Sequence, residues 1–281
     1  MKLIQNIKIR SVLLLCVLTV FFGRAWQFLF WDAPYRTLFW DENLLKSLVE
    51  SILNISWYEY VTSSSTDNFI NNLVLGTGFV FFFAAIGSVI YLTKKTKLSK
   101  FLVQLGGFNL VFLSFLLMKD KYYQFGQFFE HSIQFSVPFV FLLNVNDEKR
   151  DLKNLLKILI AVVFVSHGLY AIGYYPVPGN FQDMVIQIFS FSEENARLFL
   201  KFAGVLDFVV ALAIFIPKTA KVALVYAVVW GLLTAFARIV ANFQIDFFWQ
   251  TIHQELYGTL YRLSHGLIPL IVLILEGKTK D

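Results

Sequence analysis

A recurring block of apolar residues, about 17 to 24 long, limits what this chain can fold into. That is the length an α-helix needs to cross a ~30 Å hydrocarbon layer at 1.5 Å per residue. The blocks fall near 11–30, 69–92, 101–118, 125–143, 155–174, 202–216, 222–241 and 259–275, and the sixth, which is short, can begin as early as Leu198. Only 15% of the 281 residues are charged while 57% are hydrophobic, and a soluble domain carries roughly 25% charged residues. The sequence predicts an all-α polytopic membrane protein of about eight transmembrane helices.

The net charge of +5 does not point to nucleic acid, because the basic residues form short clusters between the apolar blocks instead of lining one face. Lys2, Lys8 and Arg10, the turn Lys94 to Lys100, the link Lys149 to Lys157, Lys218 with Lys221, and Lys278 with Lys280 together hold 15 of the 24 Lys and Arg residues. With eight spans these clusters all lie on one side, and the positive-inside bias makes that side cytoplasmic, with both termini there. Trp26, Trp31, Trp40, Trp57 and Trp249 lie at or beyond the opposite helix ends, where interfacial tryptophans belong. The expected location is a bacterial inner membrane.

The basic N-terminus before Val12–Phe22 imitates a signal peptide, but no small-x-small cleavage site follows and Leu15 before Cys16 is bulky. The expectation is a retained first helix. Cys16 is the single cysteine, so no intrachain disulfide or thiolate metal site can form.

The longest outer loop, 32–67, carries an amphipathic segment. Asn43, Lys46, Ser47, Glu50 and Ser51 share one helical face and Leu44, Leu45, Leu48, Val49, Ile52 and Leu53 the other. It is expected along the outer surface with its apolar side down, against lipid or against the bundle ends.

The chain divides into two units, 1–148 and 149–281, with one layout: a span, a long outer excursion, a second span, a basic inner turn, a third span, an outer connection and a fourth span. Gly76 is matched with Gly204, and His131 followed by Pro138 with His265 followed by Pro269. Four spans per unit make the repeats parallel, related by an axis along the membrane normal, with a groove between them.

Ionisable residues inside spans are costly, so they face the bundle interior. Arg24, Glu130, His131, His167, Asp207, Arg238, Arg262 and His265 all fall in the outer third of their spans, whereas the inner half is almost purely apolar. This depth coincidence predicts one outward-facing polar pocket, with Asp207 paired to an arginine, Arg238 first among them. It argues against an ion path through the whole membrane. The alternative is that the paired charges only fix helix register. No histidines are spaced as metal ligands within one helix, which disfavours haem and other metals. No GxSxG, HExxH, Walker or dinucleotide-binding pattern stands in a suitable context.

From Lys157 to Arg238 the chain resembles the DoxX-like family of four-helix bacterial membrane proteins. The resemblance rests on Ser166-His167-Gly168-Leu169-Tyr170-Ala171, Ala203-Gly204-Val205-Leu206-Asp207 and Thr234-Ala235-Phe236-Ala237-Arg238. In that family an outer loop follows the first helix and an acidic residue follows a glycine in the second, the place of Asp207. In the first unit that place falls to Phe79. The resemblance implies a membrane subunit on the quinone side of a redox complex such as a thiosulfate:quinone oxidoreductase, with protein partners in the membrane. Having one cysteine argues against thiol or thiosulfate chemistry within this subunit. The reading is a membrane subunit without catalytic activity of its own, whose outer pocket binds a quinone or lipid headgroup. The rivals are a structural scaffold and, third, a proton- or anion-coupled transporter.

Overall fold

The computed structural model describes residues 2–146 and 151–277. Expectations placed on Lys149, Arg150, Lys278 and Lys280, on the side chains of Lys2 and Lys8, and on the unit boundary at 148/149 lie outside the described residues. The described residues are helical, with no strand.

In the first half, α1 (Lys2–Phe30) leads to an excursion of α2 (Arg36–Phe39), α3 (Glu42–Leu48) continued by a π turn at Val49–Leu53, and α4 (Trp57–Thr62). Then come α5 (Ser64–Lys94), α6 (Lys97–Asp120), and a broken fourth member made of α7 (Phe125–Phe129) and α8 (Ser132–Val145). The second half has α9 (Leu152–Ala171), an excursion with α10 (Gly179–Phe189), α11 (Glu193–Ala213), α12 (Ala220–Asn242), and a second broken member, α13 (Phe248–Arg262) and α14 (Ser264–Glu276).

Among the described residues seven segments are long and apolar enough to cross a membrane. The exception among the long helices is α11, the expected sixth span. It begins at Glu193, and its outer turns carry Glu193, Glu194, Arg197 and Lys201 ahead of Asp207, too many charges for a purely apolar crossing. It nevertheless packs along α9 as α5 packs along α1.

Helix α12 shows how such a bundle inverts the soluble pattern. It buries the small residues Ala220, Ala223, Ala227, Gly231 and Ala235, and exposes Val222, Val225, Val229, Leu233, Phe236 and Val240 at three- and four-residue spacing. With lipid outside there is little gain in burying large apolar side chains, so close backbone approach decides the interface. The approach is closest at Gly231, where an added Cβ would lie 2.6 Å from the His265 carbonyl oxygen. Pro269 in α14 has no N–H to offer that carbonyl four residues back.

The long helices pack in the same cyclic order in each half: α1, α5, α6 and α7–α8 in one, α9, α11, α12 and α13–α14 in the other. The halves meet through α1 against α13 and α14, and through α9 against α7 and α8. The packing corrects the glycine register. Gly76 has open space beside it, whereas a Cβ on Gly78 would lie 2.9 Å from Leu29, as one on Gly204 would lie 2.9 Å from Ala171 and Ile172. Gly78, not Gly76, does for α5 what Gly204 does for α11. Three residues on stand Phe81 and Asp207, both buried, while Phe79 is half exposed.

At the end bearing the basic turns, Lys157 pairs with Glu276, Lys95 Nζ donates to the Val145 carbonyl at 2.7 Å, and the Tyr91 hydroxyl donates to Asn146 at 2.7 Å. The intervening core is apolar, and the remaining buried charge collects at the opposite end.

Candidate functional site

The polar cavity lies where α1, the α7–α8 break, α12 and α13 converge, and its volume is about 560 Å³. Of the 24 Lys and Arg residues, 15 belong to the basic clusters and six to the outer connections; the other three are Arg24, Arg238 and Arg262, and all line this cavity. Glu130 and His131 line it too, with Gln27, Gln124 and Gln127 and the phenols of Tyr170, Tyr257 and Tyr261.

Arg24 is the most deeply held of the arginines, only 2% exposed. It donates at 2.7 Å to Gln27 and at 2.7 Å to Gln134, and its guanidinium carbon lies 3.7 Å over the Tyr261 ring, so a neutral carbonyl pair and a π face hold it in place of a carboxylate. The Arg262 guanidinium carbon lies 5.9 Å from the centroid of the same ring. Arg238 passes close to Gly258, where a Cβ would approach its Cδ to 3.1 Å, so the absence of a side chain at 258 sets its path.

The breaks in the two fourth members place the remaining groups. Glu130 and His131 occupy the first break, and the Glu130 carbonyl, left out of a continuous helix, lies 3.3 Å from His265 Nε2 near the start of α14. The Glu130 carboxylate accepts from Gln127 at 2.8 Å, with His131 Nδ1 at 3.7 Å and His167 Nε2 at 4.0 Å. The His167 and His265 rings are 5.8 Å apart. The histidines and Glu130 therefore form one knot between the halves.

Asp207 stands apart. It is 4% exposed, and its Oδ1 is buried with no hydrogen-bond partner among the described residues. Among the described residues Asp207 forms no ion pair within 4 Å to Arg238 or to another arginine, so the expected pairing is corrected. The physical reason is placement: Asp207 projects with Trp230 and Ala203 into a second, mainly apolar groove of about 290 Å³, whereas Arg238 turns toward the first cavity. Helix α10 covers this groove with Phe181, Val185 and Phe189. Phe181 and Arg262 line both spaces, so the polar cavity and the apolar groove adjoin.

Sequence reasoning missed Gln27, Gln134, Tyr170 and Tyr261. The signal available was the set of glutamines inside spans, since an amide in hydrocarbon needs a partner. Among the described residues no three His, Cys, Asp or Glu side chains are placed to hold a metal ion.

Fold and site together define a polytopic helical membrane protein with a buried polar cavity at one end of its bundle. A model of the DoxX-like family matches residues 161–253, from α9 to the start of α13. The match takes in His167 and Asp207, which line the groove, and Arg238, which lines the polar cavity, and leaves Arg24, Glu130, His131, Arg262 and His265 outside it. Neither the curated proteins nor the solved structures hold a match to this chain.

Proposed function

We propose that this protein binds the headgroup of a lipid or the ring of a quinone in the polar cavity, with the apolar tail in the adjoining groove under α10. The observation that carries this reading is the shared wall: Phe181 and Arg262 border a charged cavity and an apolar groove, the two environments an amphiphile needs. In keeping with what the resemblance to the DoxX-like family implies, the chain acts in support of a redox or envelope complex in the inner membrane, both termini cytoplasmic. The common cyclic packing of the halves supports descent from one four-helix unit. The half-exposed apolar face of α3 and its π turn, where Leu44, Leu48, Ile52 and Leu53 all point outward, supports lipid contact by the first excursion.

Mass spectrometry of organic extracts from protein purified in native-membrane nanodiscs tests the reading. Wild type should retain a quinone or lipid in excess over bulk membrane, and Ala237→Trp, which fills the groove, should lose it. Equal extracts from the two would leave the scaffold reading as the better one.

A further inference from the structure

The cavity's charge is unbalanced in a way that a neutral quinone or a zwitterionic headgroup does not correct. Arg24, Arg238, Arg262 and Lys121 line it against a single carboxylate, Glu130. Glu255 reaches Arg238 electrostatically but lines a different cavity. None of the three arginines forms an ion pair within 4 Å among the described residues, and the Nε of each is buried without a hydrogen-bond partner. Arg24 is the telling case: nearly sealed from the surface, it is held by two neutral amides and a phenol ring. Unpaired guanidinium groups are expensive to desolvate. A structure that gathers three of them around one space needs a negative partner there, and their planar forks suit the several oxygens of a phosphoryl group.

We infer that the polar cavity is a site for a phosphate-bearing anion, the headgroup of a phosphomonoester or diphosphate lipid whose chain enters the groove beyond Phe181 and Arg262. This rests on the reading of the cavity as a headgroup site and narrows it from quinone or lipid to anionic phosphate. Glu130, which accepts from Gln127 and reaches all three arginines electrostatically, offsets part of this charge and leaves four cationic side chains against one carboxylate.

The full-length protein in phosphatidylcholine nanodiscs, titrated with phosphatidic acid, with diacylglycerol of the same chains, with inorganic phosphate and with a long-chain quinone, provides the test by native mass spectrometry and thermal shift. Phosphatidic acid should bind well above diacylglycerol and fall about tenfold or more in Arg238→Gln and in Arg262→Gln. Arg197→Gln, whose side chain pairs with Glu193 at the surface, should change nothing. Arg238→Lys keeps the charge and loses the fork, so its affinity should fall between the two, and it decides the matter if the glutamine variants do not fold. Inorganic phosphate protecting as well as phosphatidic acid would uphold the phosphate site and assign it to a free anion. Phosphatidic acid binding no better than diacylglycerol, or a quinone binding unaffected by both arginine changes, would overturn the anionic site while leaving the headgroup reading standing. Retention of none of the amphiphiles or phosphate would end both.

Discussion

The two halves use the same cyclic packing but treat their outer excursions and second helices differently. In the first half α2 and α4 lie against α6 and α5, but the middle of the excursion does not pack down: α3 and its π turn bury only Val49 of the six residues on their apolar face fully. In the second, α10 folds back, and Val185 packs with Ala196 and Leu200 of α11 in a small core of its own. Where α5 carries Phe81, stacked on Phe21 and edge-on to Phe28, α11 carries Asp207 with an unpartnered oxygen. Beside its second helix one half packs aromatic rings and the other keeps a covered, polar-tipped groove, while Arg24, Glu130 and His131 of the first half line the polar cavity. The difference between the halves lies in one buried position and in whether the middle of the excursion packs down.

Exchanging the two buried positions should break that comparison most strongly. Phe81→Asp removes a buried aromatic and places a carboxyl between two phenylalanine rings, and it should destabilise by about 4 kcal/mol or more. Asp207→Leu should leave the melting temperature unchanged or raise it, because it removes an unsatisfied polar group. Thermal unfolding followed by size-exclusion chromatography reads both, and equal losses would show that the halves are alike in this respect.

The glycine contacts come next. Gly78→Val and Gly204→Val should each cost about 1–3 kcal/mol through overpacking, with Gly76→Val near neutral since nothing lies beside it. A loss at Gly76 as large as at Gly78 would restore the other register. For the excursions, Val185→Asp should expose the link around α10 to limited proteolysis without unfolding the bundle, whereas Leu48→Asp, already exposed, should leave the cleavage pattern unchanged.

The smallest expected effect is a pH dependence of the first excursion. Asp41 pairs with Lys119 and accepts from the Leu44 N–H at 3.1 Å, and the lysine first, then the backbone, holds its carboxyl below the ordinary carboxylate range. A carboxylate with a depressed folded-state pKa contributes fully above its ordinary value and loses that contribution as pH falls through the folded value. The excursion should become sensitive to an acid-active protease only below about pH 4, near the reference carboxyl value of 3.8. Asp41→Asn should remove the pH step. The α10 link, which has no such pair in its core, should show none.

Apolar block length and the spacing of basic clusters determined the helices, their order and the depth of the polar layer, because hydrocarbon thickness and the cost of buried charge act on the sequence directly. They located Arg24, Glu130, His131, His167, Arg238, Arg262 and His265 at one end of the bundle, and the coordinates gather these residues around the cavity and the histidine knot beside it. Depth does not fix azimuth. Whether Asp207 faces Arg238 or an apolar groove, and whether Gly76 or Gly78 meets α1, depends on the rotation of each helix about its own axis. In lipid that rotation is set by close packing of small residues against neighbours distant in the chain. Only the tertiary structure could separate the Asp207 carboxylate from the arginines, bring Gln27 and Gln134 onto Arg24, and set three guanidinium groups around one space with Glu130 as its single carboxylate.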